Sequence, residues 1–150
     1  MASLVAGSLW LAAPATVACV LHMVVVKRGI AAALAVPLDG GRTFRGRPLL
    51  GGNKTWRGVV VVVAGTALLG ALQGWLLGAW AARLGLGIVD YGAAFGALGP
   101  APLPLGWGYA LVNAALGAAY VAGELPNSFL KRQLDVAPGG RPVGRWRALF

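Results

Sequence analysis

The chain has 150 residues, 58% of them hydrophobic and only 11% charged, against roughly 25% charged in soluble domains. Its net charge of +9 would suit a nucleic-acid binder if the cations covered a soluble surface, but twelve of the thirteen Lys and Arg residues fall in two short stretches, as they do when retained on the cytoplasmic face of a membrane protein. Composition thus excludes an ordinary soluble domain and argues against nucleic acid as a partner, while the single cysteine, Cys19, excludes an internal disulfide.

Leu4 to Val26 is an uncharged run of 23 residues, about 35 Å long as a helix, and predicts a first membrane span. No Lys or Arg precedes Lys27, so the positive n-region of a cleaved signal peptide is missing, and the run is long for an h-region. A retained helix with its N-terminus outside is expected. Pro14 should kink it, because proline removes a backbone hydrogen bond and crowds the preceding turn. His22, the only histidine, has neither a metal partner nor a nucleophile in the sequence and is expected to make a buried hydrogen bond. Gly29 to Val36 is apolar but too short to cross, and belongs at the interface.

The first basic island follows as PLDGGRTFRGRPLLGGNKTWRG, Pro37 to Gly58. Paired glycines allow positive φ and a close approach of backbone N–H groups to an anion, and Lys54 can offer a point charge to a phosphate. The run is not a P-loop: Asn53 stands where a glycine should precede the lysine, and no strand leads into it. A second reading has Lys54, Trp56 and Arg57 anchoring a helix end at headgroup depth. Asp39 beside Gly40 and Gly41 has no place in simple anchoring, although an ordinary turn would also use it.

Gly58 to about Ala82 predicts the second span. Its Gly70, Gly74 and Gly78 recur every four residues and should lie buried against protein, since close approach drives helix association in lipid. Leu84 to Pro104 carries Asp90 and several glycines and prolines. If both islands share a side, an even number of spans separates them, so this segment is expected outside, together with Arg83, as a loop or shallow re-entrant element. The third span then runs from about Leu105 to Asn127. Ala114, Ala118 and Ala122 form another small-residue strip that a second copy of the chain, in a homodimer, or a continuation of it would cover.

The second island is GELPNSFLKRQL, Gly123 to Leu134. Glu124 falls near the inner end of the third span, where an ionisable group is costly and asks for a partner. Pro126 should interrupt the helix. If the helix nevertheless continues, Ser128, Lys131 and Arg132 share a face that suits a phosphate chain. The alternative is an ion pair from Glu124 to a loop cation, with ordinary snorkelling of the others. The fold class expected is an all-α integral membrane protein, a single domain over 1–150. It would have about three spans (4–26, 58–82 and 105–127), cytoplasmic segments 27–57 and 128–150, and its C-terminus inside.

Taken together and in this order, the two islands resemble the archaeal-type CDP-archaeol synthases and their short bacterial relatives, within the wider CDP-diacylglycerol synthase group of membrane cytidylyltransferases. The resemblance implies attack by a lipid phosphate on the α-phosphorus of CTP, giving a CDP-activated lipid and pyrophosphate, with Mg²⁺ required. It implies that Asp39, Lys54, Lys131 and Arg132 are catalytic, that Asn53, Thr55, Arg57, Asn127 and Ser128 bind substrate, and that Asp39 and Glu124 serve a metal. The site would face the cytoplasm at the cell (inner) membrane. Two departures stand out. The family commonly has a GD pair where this chain has Gly123 and Glu124, and its members continue into a further helix that opens with an acidic pair. Two Mg²⁺ ions need more oxygen ligands than Asp39 and Glu124 supply, so a truncated chain or impaired activity is expected. The competing function is a non-catalytic membrane protein whose basic loops bind anionic lipid or a partner subunit. A transporter is disfavoured because the charges lie near one face and not along a path.

Overall fold

The computed structural model describes residues 2–84, 104–137 and 140. The segment between Leu84 and Pro104, with Asp90, lies outside the described residues, as do Arg141, Arg145 and Arg147. Three long helices make up most of the rest: α1 (Ala2–Lys27), α2 (Trp56–Leu84) and α3 (Leu105–Gln133). Two stretches, Ser8–Lys27 and Trp56–Leu77, are long and apolar enough to cross a membrane, with mean hydropathies of 2.1 and 2.0. The expectation of a purely helical chain needs one amendment. The first island carries a two-stranded hairpin, β1 (Thr43–Phe44) and β2 (Arg47–Pro48), paired antiparallel.

Small residues set how the helices meet. Along α1 and α2, Ala18 lies against Gly65 and His22 against Gly58, where a Cβ would come within 3.3 Å of each neighbour. Along α2 and α3, a Cβ at Gly70 would lie 2.7 Å from the Asn113 side chain and from the Tyr109 carbonyl, and one at Gly117 would collide with Thr66. These pairings make α2 antiparallel to both neighbours. The C-terminus of α1, the N-terminus of α2 and the C-terminus of α3 therefore gather at one end of the molecule. The polar donors on this seam bond within their own helices, while the buried Asn113 Oδ1 has no partner. Thr66 Oγ1 donates to the Val63 carbonyl at 2.9 Å and Asn113 Nδ2 to the Tyr109 carbonyl at 3.0 Å.

Gly70 and Gly74 are buried, as their spacing predicted. On α3 the packed face is Asn113 and Gly117, one position away from the predicted alanine strip, whose Ala118 and Ala122 are exposed. Both prolines lie inside continuous helices. Pro14 sits inside an unbroken α1. It withholds the N–H that would bond the Trp10 carbonyl four residues back, and Gln73 Nε2 of α2 donates to that carbonyl at 2.7 Å. Against expectation, Pro126 does not end α3, which runs on to Gln133, so the second island is helical up to its last residue and Ser128, Lys131 and Arg132 share a face.

Candidate functional site

The first island is a loop closed on itself. Leu38 N–H donates to the Lys54 carbonyl at 2.9 Å and Trp56 N–H to the Val36 carbonyl at 3.0 Å, bringing its two ends together. Asp39, Gly40, Gly41 and Arg42 form a tight turn, with Arg42 N–H on the Asp39 carbonyl at 3.0 Å and both glycines at positive φ, 59° and 76°. The Asp39 carboxylate pins this turn to the far side of the loop. Oδ1 accepts from Gly41 N–H and Oδ2 from Leu50 N–H, each at 2.9 Å. Burial pushes the Asp39 carboxyl up, but the backbone donors of Leu50, Gly41 and Gly51 outweigh it and hold the group below its usual range. The hairpin turn is made by Arg45 and Gly46 at φ 53° and 77°, the positive-φ pair that matches strand twist.

This loop is docked on the end of α3. Arg47 donates to the Gln133 carbonyl and pairs with Asp135 at 2.6 Å, a cation placed where a helix exposes unpaired carbonyls. Gln133 Nε2 returns a hydrogen bond to the Pro48 carbonyl at 3.3 Å, and Phe44 packs on Phe129 with ring centroids 6.0 Å apart. Gly51, at φ 87°, lets the buried Arg132 side chain lie against the loop backbone: a Cβ there would be 3.3 Å from Arg132 Cδ and Nε. The two islands, far apart in sequence, thus form one structure.

Beneath the loop a cavity of about 250 Å³ opens between the three helices. Its polar wall is His22, Asn53, Lys54, Thr55, Tyr120 and Glu124, and its remaining lining is largely apolar. Lys54 Nζ is ion-paired with Glu124 Oε2, and the Tyr120 hydroxyl donates to Glu124 Oε1. The alternative of an ion pair between Glu124 and a loop cation is therefore realised. The Lys54 side chain is 20% exposed and that of Glu124 38%, so the protein only partly encloses the pair.

Of the candidate site residues read from the sequence, Asn53, Lys54, Thr55 and Glu124 line this cavity and the others do not. Asp39 faces a separate hollow beside Arg42 and Trp56. Arg57 donates to the Ile30 carbonyl at 3.4 Å. Asn127 is exposed, and Ser128 and Lys131 are half-buried on the last turns of α3. Tyr120 is an addition, and His22, expected only to make a buried hydrogen bond, also lines the cavity. Tyr120 stands four residues before Glu124, a spacing that places both on one helix face, and that signal was available in the sequence. Among the described residues no three His, Cys, Asp or Glu side chains gather to hold a metal ion. Asp39 and Glu124 line different cavities, and each accepts hydrogen bonds at both carboxylate oxygens.

Comparison with known proteins agrees with the motifs. The model of the CarS-like, CDP-archaeol synthase family matches residues 1–99, which takes in the whole first island. The chain is 31% identical over 109 residues to the CDP-archaeol synthase of Thermococcus onnurineus, covering 72% of this chain and 51% of that protein. It is 41% identical over 98 residues to the CDP-archaeol synthase of Halobacterium salinarum, covering 65% of this chain and 44% of the relative. The chain thus spans about half the length of the curated relatives it matches. No solved structure matches it. With a glycine-rich cationic loop of this kind and a family match over most of its length, the chain belongs to the CDP-archaeol synthase family.

Proposed function

We propose that the chain carries the CTP-dependent lipid cytidylyltransferase chemistry of its family, transferring CMP from CTP to a lipid phosphate. The observation that supports this best is the meeting of the two islands, in which Lys54 of the loop reaches Glu124 of α3 over a cavity. A lipid phosphate oxygen attacks the α-phosphorus of CTP, a new P–O bond forms there, and the bond to pyrophosphate breaks. Nucleophile, electrophile and leaving group are all anionic, so catalysis is chiefly positioning and charge neutralisation. Lys54, Lys131, Arg132 and Arg57 supply cations around one end of the helices, and Asn53, Thr55, Asn127 and Ser128 offer hydrogen bonds to nucleotide and headgroup. Asp39 keeps the loop in shape. Mg²⁺ enters as part of the substrate, the Mg–CTP complex.

In this reading α3 is a third span and the islands lie on the cytoplasmic side of the cell (inner) membrane. The exposed strip at Ala118 and Ala122 then meets another helix, in a homodimer or otherwise. Lys27, Arg28, Arg42 and Arg45, exposed and off the cavity, hold anionic headgroups at the rim. The test is formation of a CDP-lipid by the purified protein from radiolabelled CTP, with and without Mg²⁺, offering archaetidic and phosphatidic acids separately. No product from either lipid would overturn the reading.

A further inference from the structure

We propose that Tyr120 and Glu124 are positioning residues for Lys54, forming a hydroxyl–carboxylate–ammonium relay that fixes the ammonium in the cavity wall. What the ammonium meets there rests on the cytidylyltransferase reading; the relay itself rests on geometry. Lys54 is carried by a loop and has four rotatable side-chain bonds, so left to itself its charge would be spread over many rotamers. Glu124 comes from α3, a long helix seated against α2 through Gly70 and Gly117, and is the more rigidly based partner. A carboxylate can still swing. The Tyr120 hydroxyl, one helical turn earlier, takes its second oxygen and leaves the first directed at Lys54 Nζ. An ammonium has three donors, so Glu124 occupies one and two remain for a phosphate oxygen.

The relay predicts how readily the Lys54 amine reacts, whatever the enzyme does. The full chain in detergent is treated with an amine-acylating reagent, and the rate at Lys54 is read by mass spectrometry against exposed Lys27 in the same molecule. Glu124→Gln should raise the Lys54 rate about tenfold, because a hydrogen bond to a charged group is lost, and Tyr120→Phe about threefold. In the Glu124→Gln background Tyr120→Phe should add nothing, as coupling through one shared group requires. Unchanged Lys54 rates in both single variants, or a full additive effect of Tyr120→Phe in the double variant, would overturn the relay. Tyr120→Phe keeps the ring, so packing loss is not the readout. Protection of Lys54 by Mg–CTP is measured in parallel. If it is absent and turnover is also absent while the variants behave as above, the relay stands and the cytidylyltransferase reading falls.

Discussion

The two basic islands reach the same end of the molecule by opposite means. The first is a loop that holds its own shape: its ends are bonded to each other, Asp39 ties its turn to Leu50, and a hairpin stiffens its tip. The second has no shape of its own beyond the helix it continues, and its residues gain a common face only because α3 passes through Pro126. A loop brings cations to a place through backbone hydrogen bonds, whereas a helix does so through periodicity. The contacts of Arg47 and Phe44 join the two systems, so damage should show differently in each.

The largest effect tests whether both islands serve one reaction. Lys54→Ala and Lys131→Ala should each lower kcat for CDP-lipid formation by about 100-fold or more, in the range seen when one charge-stabilising donor is removed, with the protein still inserted. If Lys131→Ala proves silent, the helical island is an anchor only and the likeness between the two ends there. Next, Arg47→Ala removes one of the ties between them. Its ion pair is well exposed, at 43% and 70% for the two side chains, and is worth little alone, but the bond to the Gln133 carbonyl goes too. KM for CTP should rise about tenfold with kcat far less affected, because positioning is lost while the cations remain.

Smaller effects separate loop shape from chemistry. Gly51→Ala forces an alanine to φ 87° beside Arg132 and should cost about 1 kcal/mol of stability, read as a lower melting temperature in detergent. Asp39→Asn keeps the side chain's size but weakens its two backbone contacts, costing about 0.5 kcal/mol at neutral pH in this half-exposed loop. The pH dependence has a definite sign. Because the folded Asp39 carboxyl lies below its ordinary value of 3.8, its contribution is fully present above that value and is lost as pH falls through the folded one. Thermal melts of the wild type and Asp39→Asn should therefore converge in acid.

Much of this arrangement can be read from residue order alone, and the exceptions have physical causes. Charge segregation is a strong signal in lipid, so the helices, the islands and their meeting follow from where Lys and Arg do not occur. The pair between Glu124 and a loop cation follows from the cost of leaving a lone carboxylate on a largely apolar helix without a partner. The hairpin is hidden because its turn is Arg45–Gly46, without the Asn or Gly that marks such turns at the first position. Pro126 misleads because a proline inside a long helix costs a hydrogen bond without necessarily ending the helix, and α3 continues past it. Asp39 looks chemical in a basic loop, yet two backbone N–H groups claim it, and only the fold shows which ones. Tyr120 is easily passed over as one more aromatic on an apolar helix, although its distance from Glu124 is one turn.

The hydrogen bond from Gln73 to the carbonyl that Pro14 leaves open has a consequence for assembly. Apolar helices in a hydrocarbon medium can slide or rotate against each other at little cost, and a seam of alanine and glycine offers few stops. A lone carbonyl with one available donor acts as a detent. Shifting α1 by a residue would strand both groups, so the pair selects the vertical setting of the first helix and, with it, the depth at which His22 meets the cavity.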